Sequence, residues 1–360
     1  MGERRLDELT PTAEVRAAAD RAARTSYGRL LALLASGTRD IPLAEDSLAD
    51  AFEQALVSWP AAGIPTNPEA WLLTVARNRQ RDVFKSAAHR TSTDLEEGSA
   101  VTDLDAIDPD AIPDKRLELL FACAHPAIDP AARVPLMLNT VMGFDASQIA
   151  EAFKVPASTL AQRLVRAKKR IRTTGIPFSV PTRADMPGRL GFVLEAIYGA
   201  YTIDWESLAE GRAAPERRIE TTPEQSLAAE SLFLAVTVAA LLETEPEAWG
   251  LAALIALSSS RAPARFVDGR FVPFSDQDAQ LWDPALIREG EAYLRQAHSL
   301  GVPLGRFQLE AAIQSVHCDR RRSGLTDQTG LAALYRKLID VAPTRGVQAG
   351  LAAAIRADRR

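Results

Sequence analysis

The stretch Asp145–Arg172, DASQIAEAFKVPASTLAQRLVRAKKRIR, determines how the rest of this chain is interpreted. Its first part predicts a short helix that begins with a capping box formed by Asp145 and Gln148. The apolar face of this helix consists of Ile149, Ala150 and Phe153. Pro156 follows at a position where a tight turn can end and a second helix can begin.

The second predicted helix is amphipathic and strongly basic. At about 100° per residue, one of its faces is apolar and the opposite face is polar. The apolar face consists of Leu160, Leu164, Ala167 and Ile171. The polar face consists of Ser158, Thr159, Gln162, Arg166, Lys169 and Arg170, with Arg163 at its edge. From Ala157 to Arg172 the chain has six Lys or Arg and no Asp or Glu.

Two helices joined in this way have the layout of a helix-turn-helix, whose second helix enters the major groove of DNA. There the side chain of Gln pairs with adenine and that of Arg with guanine, while the hydroxyl groups of Ser and Thr can hydrogen-bond to either base. The basic residues from Lys168 to Arg172 are expected to contact mainly phosphates. A packed helix with a solvated basic face is the alternative, but the capped first helix and the short turn favour DNA binding.

Length and composition are those of an ordinary globular protein. The 360 residues suffice for two or three domains, with 47% apolar and 25% charged residues. A net charge of −5 argues against a wholly basic nucleic-acid coat protein, although the charge is segregated along the chain. Because the chain has neither a long apolar run nor an apolar core after Met1, we expect a cytoplasmic protein with no membrane contact.

The cysteines predict neither disulfides nor a metal site. Cys123 and Cys318 are far apart in sequence and imply no disulfide framework, which is consistent with a reducing cytoplasm. His125 and His317 lie near them, but neither pair has a standard zinc spacing. We therefore expect no metal ion and no cofactor.

The segment before the acidic stretch predicts helices around a proline-rich loop. Residues 1–35 are helical in pattern, and a periodic helix opens at Pro42. Its apolar stripe is Leu48, Ala51, Phe52, Ala55 and Leu56. Its polar side, either solvated or a partner-binding face, includes Glu45, Asp46, Asp50, Glu53 and Gln54. Trp59–Pro68, WPAAGIPTNP, predicts a loop.

The next predicted helix, Glu69–Ala88, combines apolar and basic residues. Its core candidates are Trp71, Leu72, Val75 and Phe84. From Arg77 to Arg90 there are five Lys or Arg against one Asp. A basic track beside a loop that forms a pocket suits single-stranded DNA with an extruded base. A packed helix with a solvated face is equally compatible with these residues.

The rest of the chain alternates linkers and helices. Ser92–Asp114 has eight Asp or Glu and no Lys or Arg, which predicts an acidic linker. Helices are predicted at Lys115–Ala124 and Ala131–Met142, and a linker at Thr173–Pro187. Further helices are predicted at about 188–209, 223–243, 246–259, 278–299, 306–320, 327–341 and 344–357. Arg265–Phe274, with Asp268-Gly269 at its centre, predicts a β-hairpin.

Several of these segments, in this order, resemble an extracytoplasmic-function (ECF) bacterial RNA polymerase sigma factor. AEDSLADAFEQAL (44–56) and AWLLTVARNRQRDVFK (70–85) look like its second conserved region, and Ala131–Arg172 looks like its fourth. FACAHPAID (121–129), DQDAQLWD (276–283) and QLEAAIQSVH (308–317) are similar to a subgroup with a tetratricopeptide-like extension. The resemblance covers nearly the whole chain, and the order and spacing of its motifs are specific.

The resemblance implies an all-α fold with the following parts. In chain order these parts are a region-2-like domain (1–91), an acidic linker (92–114), a region-4-like helix-turn-helix domain (115–173), a second linker (174–187) and a tetratricopeptide-like regulatory domain with one short β-hairpin (188–360). The implied partners are core RNA polymerase, promoter DNA and a protein partner of the C-terminal domain. The family performs no covalent chemistry, so we expect no enzyme activity.

The resemblance also implies three groups of functional residues. The upstream set, which reads the upstream promoter element, comprises Ser158, Thr159, Gln162, Arg163, Arg166, Lys169 and Arg170. The downstream set, which helps to open the downstream element, comprises Gly63, Ile64, Thr66, Asn67, Arg77, Asn78 and Arg81. The docking set, which binds the polymerase, comprises Glu45, Asp46, Asp50, Glu53 and Gln54.

Other classes of protein remain as alternatives to the sigma factor. A one-component regulator would use the helix-turn-helix to bind an operator and the helical domain to sense a ligand, usually as a dimer. It would leave the proline-rich loop and the Trp71–Asn78 block without a role. A helical scaffold is a further alternative. An enzyme is least expected, because the chain has no phosphate-binding loop, no nucleophile elbow and no spaced metal ligands.

Overall fold

The computed structural model describes residues 9–90, 112–209, 226–267, 270–301 and 303–358. In these ranges every regular element is a helix except for one pair of short strands. This confirms the predicted all-α fold with one β-hairpin. The chain divides into two compact units, residues 1–196 and 197–360. The finer division into five segments stays a prediction.

The first unit is a bundle of helices from both predicted sigma-like regions. Its elements are α1 (Leu9–Thr38), α2 (Ile41–Ala62), α3 (Pro68–Arg90), α4 (Ile112–Cys123), α5 (Pro130–Thr140), α6 (Ala146–Ala152), α7 (Ala157–Thr174) and the first part of α8 (Pro187–Ala209). Helix α1 packs against α2, α3 and α4, while α5 packs against α4, α6 and α7. Of the predicted acidic linker, residues 92–111 lie outside the described residues, and α4 begins at Ile112, inside the predicted range.

The predicted loop at Trp59–Pro68 is shorter than expected, because α2 continues through Pro60 to Ala62. A proline inside a helix removes one backbone hydrogen bond and crowds the preceding turn. Here it lies in the last turn, and Trp59 is buried edge-on against Trp71, with ring centroids 5.4 Å apart. Gly63 then ends the helix at a φ of 84° and donates its N–H to the Trp59 carbonyl. Only residues 63–67 form the loop.

Three apolar residues that we expected in the core are exposed: Leu56, Phe84 and Phe153. The buried stripe of α2 is centred on Leu48, Ala55 and Trp59, and Leu56 is rotated by about 80° from Leu48. Phe84 lies four residues after Gln80, the last buried side chain described in α3. Phe153 lies one residue beyond the end of α6.

The second unit is built around one central helix. Its elements are the rest of α8, α9 (Leu227–Leu242), α10 (Pro246–Ser259), β1 (Phe266–Val267), β2 (Arg270–Phe271), α11 (Pro284–Ser299), α12 (Arg306–Cys318), α13 (Arg320–Ser323), α14 (Gln328–Val341) and α15 (Arg345–Asp358). Helix α10 contacts α9, α11 and α12, and residues 250–258 of α10 are nearly all buried. This confirms the prediction that EAWGLAALIAL is covered on more than one face.

The remaining predictions for this unit hold in part. The strands pair antiparallel, Phe266 with Phe271, as the hairpin prediction requires, although the Asp268-Gly269 turn lies outside the described residues. Helix α11 starts at Pro284 rather than 278, because Asp283 caps it and the preceding residues form short 3-10 turns. Helix α9 was expected to be buried on both sides, but Phe233 and Leu241 are exposed. The tetratricopeptide-like character stays a prediction. None of the described helices combines the length and apolar composition needed to cross a bilayer.

Candidate nucleic-acid interface

The helix-turn-helix prediction is matched in its local structure. The Asp145 carboxylate accepts hydrogen bonds from the backbone N–H groups of Ser147 and Gln148, both at 2.8 Å. The Gln148 side-chain oxygen in turn accepts the N–H of Asp145 at 3.0 Å, which completes the capping box. Four residues, 153–156, connect the helices, with Lys154 at a φ of 52°. Helix α7 begins directly after Pro156, its N-cap residue.

Helix α7 divides into the two faces that its sequence predicts. All four residues of the predicted apolar face, Leu160, Leu164, Ala167 and Ile171, are buried. In the upstream set, Ser158, Gln162, Arg166, Lys169 and Arg170 are exposed, whereas Thr159 and Arg163 are partly buried. Among the described residues, no ion pair involves a member of this set.

Val165 is a surface residue that the sequence analysis left out. It is 66% exposed and lies on the polar side of α7, about 20° from the direction of Ser158. Its angular position is the signal that identifies it, because an apolar residue there cannot reach the core. In a major groove, an apolar side chain at such a position contacts the methyl group of thymine.

The two predicted regions touch each other through α2 and α7. Lys168 Nζ lies 2.5 Å from a carboxylate oxygen of Glu45 and 2.8 Å from the side-chain oxygen of Asn139. The side chains of Lys168 and Glu45 are only 14% and 22% exposed. Arg172 Nη1 lies 3.4 Å from Asp40 Oδ2. Lys168 and Arg172 are thus paired within the protein, and the expectation that the basic residues from 168 to 172 contact mainly phosphates stays a prediction.

The docking set is only partly available at the surface. Asp46, Glu53 and Gln54 are exposed, whereas Glu45 and Asp50 are partly buried. Both of the latter are paired, Glu45 with Lys168 and Asp50 with Arg79 at 2.6 Å. The exposed face of α2 thus combines three polar members of the set with the exposed side chains of Leu56 and Val57.

The downstream set follows the short loop and one side of α3. Gly63, Ile64, Thr66, Asn67 and Asn78 are exposed, whereas Arg77 and Arg81 are partly buried. Asn67 also has a structural role, because its side-chain oxygen accepts the N–H of Ala70 at the start of α3. Arg81 donates to the side-chain oxygen of Asn78 at 3.2 Å. At 1.5 Å per residue, the distance along α3 from Asn67, just before the helix, to Arg81 is about 20 Å.

Part of the polar character of α3 is internal rather than exposed. Gln80 is fully buried, and neither its side-chain nitrogen nor its oxygen has a hydrogen-bond partner among the described residues. Glu69, near the start of the helix, accepts hydrogen bonds from Ser26 and Arg29 of α1. Of the two amide side chains in this part of α3, Asn78 is exposed and Gln80 is buried.

The described residues provide no evident centre for metal or thiol chemistry. No group of three or more His, Cys, Asp or Glu side chains lies close enough to hold a metal ion within these ranges. Cys123 and Cys318 are both buried and free. Burial raises the pKa of the Cys123 thiol to about 12, and its sulfur lies 3.6 Å from the Thr140 hydroxyl. A thiol with such a pKa is a packing group rather than a nucleophile.

The fold and this surface define an all-α protein with a helix-turn-helix layout in its first unit and a helical second unit. Residues 189–298 match a family of unknown function, DUF6596. An uncharacterized protein of Rhizobium meliloti (strain 1021) is 34% identical over 328 residues, 88% of this chain and 74% of that protein. The chain belongs to the same family as this Rhizobium meliloti protein.

A second similarity covers a smaller part of the chain. A probable ECF RNA polymerase sigma factor, SigI, of Mycobacterium tuberculosis strains CDC 1551 / Oshkosh and ATCC 25618 / H37Rv is 32% identical over 148 residues. The match spans 39% of this chain and half the length of the mycobacterial protein. It is a weak homology to a sigma factor. No solved structure matches the chain.

Proposed function

We propose that this protein is an ECF-type sigma factor, which binds core RNA polymerase and directs it to promoters. The observation that carries the proposal is the polar surface of α7, which is exposed, basic and free of acidic residues. This helix directly follows the capped helix α6 in the chain. The partial similarity to the mycobacterial sigma factors supports the same class. A sigma factor positions DNA and polymerase without covalent chemistry, so the proposal includes no enzyme activity and a cytoplasmic location.

In this proposal the upstream set reads duplex DNA in the major groove. Gln162, Arg163 and Arg166 supply hydrogen bonds to base edges, and Lys169 and Arg170 supply phosphate contacts. Val165 adds an apolar contact to a thymine methyl group. The downstream set acts on the second promoter element, where the short loop and the side of α3 hold an unpaired strand.

The docking set binds the polymerase, beginning with its exposed members Asp46, Glu53 and Gln54. Glu45 joins this surface only when its ion pair with Lys168 opens. Residues 197–360 regulate the process in cis or recruit a protein partner. Helix α8 continues across the boundary of the two units, and its residues 189–194 belong to the first unit. A deletion that tests this role therefore keeps residues 1–209, so that α8 stays whole. We expect it to change promoter-dependent transcription, and unchanged activity and partner binding would contradict the regulatory role.

The test of promoter recognition is a double substitution on α7. Arg163→Ala with Arg166→Ala is expected to weaken recognition of the upstream element by roughly 1–3 kcal/mol per base-specific contact. The matched control replaces two exposed arginines of the second unit, Arg336 and Arg356, by alanine. Transcription from a promoter that depends on the upstream element is measured with reconstituted polymerase, together with polymerase binding. Intact transcription by the α7 variant would contradict the assignment.

The same experiment separates the proposal from the one-component regulator. A sigma factor forms a complex with core polymerase and binds free duplex weakly. A regulator of that kind binds an operator tightly without polymerase, as a dimer on two half-sites. The α7 variant of a sigma factor therefore keeps its polymerase complex while losing promoter selection.

A further inference from the structure

A compact arginine–aromatic cluster lies in the second unit, apart from all three predicted sets. The rings of Phe274 and Trp282 stack with their centroids 6.0 Å apart and their planes 15° apart. The guanidinium of Arg320 lies 5.1 Å from the first ring and 4.8 Å from the second. The guanidinium of Arg261 lies 4.9 Å from the Phe274 ring, and His317 meets the same ring edge-on at 4.9 Å.

The two arginines of the cluster differ in how their N–H groups are used. Arg320 donates to the backbone oxygens of Gln277, at 2.6 Å, and of Phe274, at 3.4 Å. These bonds and the two rings account for its position. Arg261 is partly buried at the end of α10, and within the described residues it makes no hydrogen bond and no ion pair. Its guanidinium lies over the ring of Phe274.

The charge of the cluster is not balanced by nearby acids. Burial lowers the pKa of Arg261, and the other groups that act on it are Cys318, Tyr201, Arg320 and Tyr335, none of them a carboxylate. Burial, Arg261 and Arg320 lower the pKa of His317 to about 4, so this histidine is neutral at pH 7. Two guanidinium groups therefore lie within about 5 Å of one ring, and no carboxylate is among the groups that act on the pKa of Arg261.

Buried polar atoms beside the rings also lack partners. Trp282 is 1% exposed, and its indole N–H has no hydrogen-bond acceptor among the described residues. His317 Nδ1 likewise has no partner there, and neither does the side-chain oxygen of Gln277, which needs a donor rather than an anion. Leaving a buried donor unsatisfied costs about 1–3 kcal/mol, and uncompensated charge costs more. An acceptor from outside the chain would remove this cost for the Trp282 N–H.

We propose that this cluster binds an oxyanion, the phosphate or carboxylate group of a small molecule, with Arg261 as its principal ligand. A guanidinium with free N–H groups can take such a group in a bidentate manner. The anion supplies the negative charge that the neighbours of Arg261 lack. The second unit is then a ligand-binding unit, independently of whether the first unit is a sigma factor.

The competing explanation is that Arg261 only clasps Phe274 through a cation–π contact. The two explanations differ in the expected behaviour of Arg261→Gln. A clasp predicts that the variant unfolds at a lower temperature than the wild type in every buffer. An anion site predicts that, without oxyanions, the variant unfolds at the same temperature as the wild type or higher, because an unpaired buried charge has been removed.

The experiment measures thermal unfolding and binding heat of the full chain, titrated with inorganic phosphate or with citrate at constant ionic strength. Wild type is expected to show a saturable rise in melting temperature with at least one of them, and comparison of the two anions shows whether a phosphate or a carboxylate group is preferred. Arg261→Gln is expected to bind about tenfold more weakly or worse. Arg336→Gln, an exposed arginine of α14, serves as the matched control and keeps the wild-type response. No saturable rise in wild type, an equal rise in Arg261→Gln, or a lower melting temperature of this variant in oxyanion-free buffer would overturn the proposal.

Discussion

Gly28 lies where α1 comes close to the backbone of a neighbouring segment. A Cβ atom at this position of α1 would lie 1.8 Å from the carbonyl oxygen of Val141, just after α5. The atoms in the way belong to the backbone of Val141, which cannot move aside as a flexible side chain could. The close approach brings α1, from the predicted region 2, against the segment that leads into the helix-turn-helix.

Gly28→Ala is therefore expected to lower the free energy of unfolding by about 3 kcal/mol, since overpacking against backbone forces the helices apart. Urea denaturation measures the change. Gly191→Ala in α8 is the matched control, because a Cβ there meets nothing within 4 Å. The control is expected to be neutral or to gain up to about 1 kcal/mol in helix propensity. Equal stabilities of the two variants would contradict the close approach.

His317 predicts a dependence of stability on pH. Its folded-state pKa of about 4 lies below the ordinary value of 6.5 because of burial and of Arg261 and Arg320. Between these two values the unfolded state binds a proton that the folded state does not. The free energy of unfolding therefore decreases as the pH falls from 6.5 to about 4, by on the order of 3 kcal/mol.

The measurement compares denaturant unfolding of wild type and His317→Gln from pH 7 to pH 4. The variant is expected to lose less stability over this range, because the titrating group is gone. His298→Gln, at an exposed position of α11, should follow the wild type. Parallel pH profiles of wild type and His317→Gln would show that His317 does not titrate as proposed.

At the scale of elements, the interface between α2 and α7 depends on the pair of Lys168 and Glu45. Lys168→Met leaves Glu45 partly buried without its cation, and we expect the free energy of unfolding to fall by about 1–3 kcal/mol. A double-mutant cycle with Glu45→Gln is expected to give a coupling energy between about 0.5 and 3 kcal/mol. Arg79→Met, which breaks the more exposed pair with Asp50, is the control and should cost about 1 kcal/mol or less. Zero coupling between Lys168 and Glu45 would contradict the observed contact.

The same elements show what local sequence can and cannot reveal. The buried stripe of α7 and the capping box of α6 follow from periodicity and from residues three positions apart, so both were predictable. The pairing of Lys168 was not, because Glu45 lies 123 positions away in sequence. The extension of α2 through Pro60 depends on the packing of Trp59 against Trp71, a tertiary contact. The arginine–aromatic cluster joins residues of three separate segments, and local sequence does not show that these segments meet.

At the scale of the whole molecule, the chain combines a first unit with proposed DNA- and polymerase-binding surfaces and a second unit with a proposed anion site. In the first unit, the ion pair between α7 and α2 occupies both Lys168 and Glu45, which is a member of the docking set. Lys168→Met is therefore expected to bind core polymerase at least as tightly as the wild type, since it makes Glu45 available. A pull-down with core polymerase that compares Lys168→Met with the wild type and with Arg336→Met, at an exposed position of α14, measures this, and weaker binding by Lys168→Met would contradict it.

The central claim is that the protein is a sigma factor, and co-purification of the full chain with bacterial core RNA polymerase tests it most directly. The account predicts a stoichiometric complex, which survives the double substitution of Arg163 and Arg166 and is weakened by reversing the charges of Asp46 and Glu53. The fragment 1–209 shows in the same assay whether the second unit masks the polymerase-binding surface. Absence of a complex with both the full chain and the fragment, together with tight binding to duplex DNA alone, would contradict the account and favour a one-component regulator.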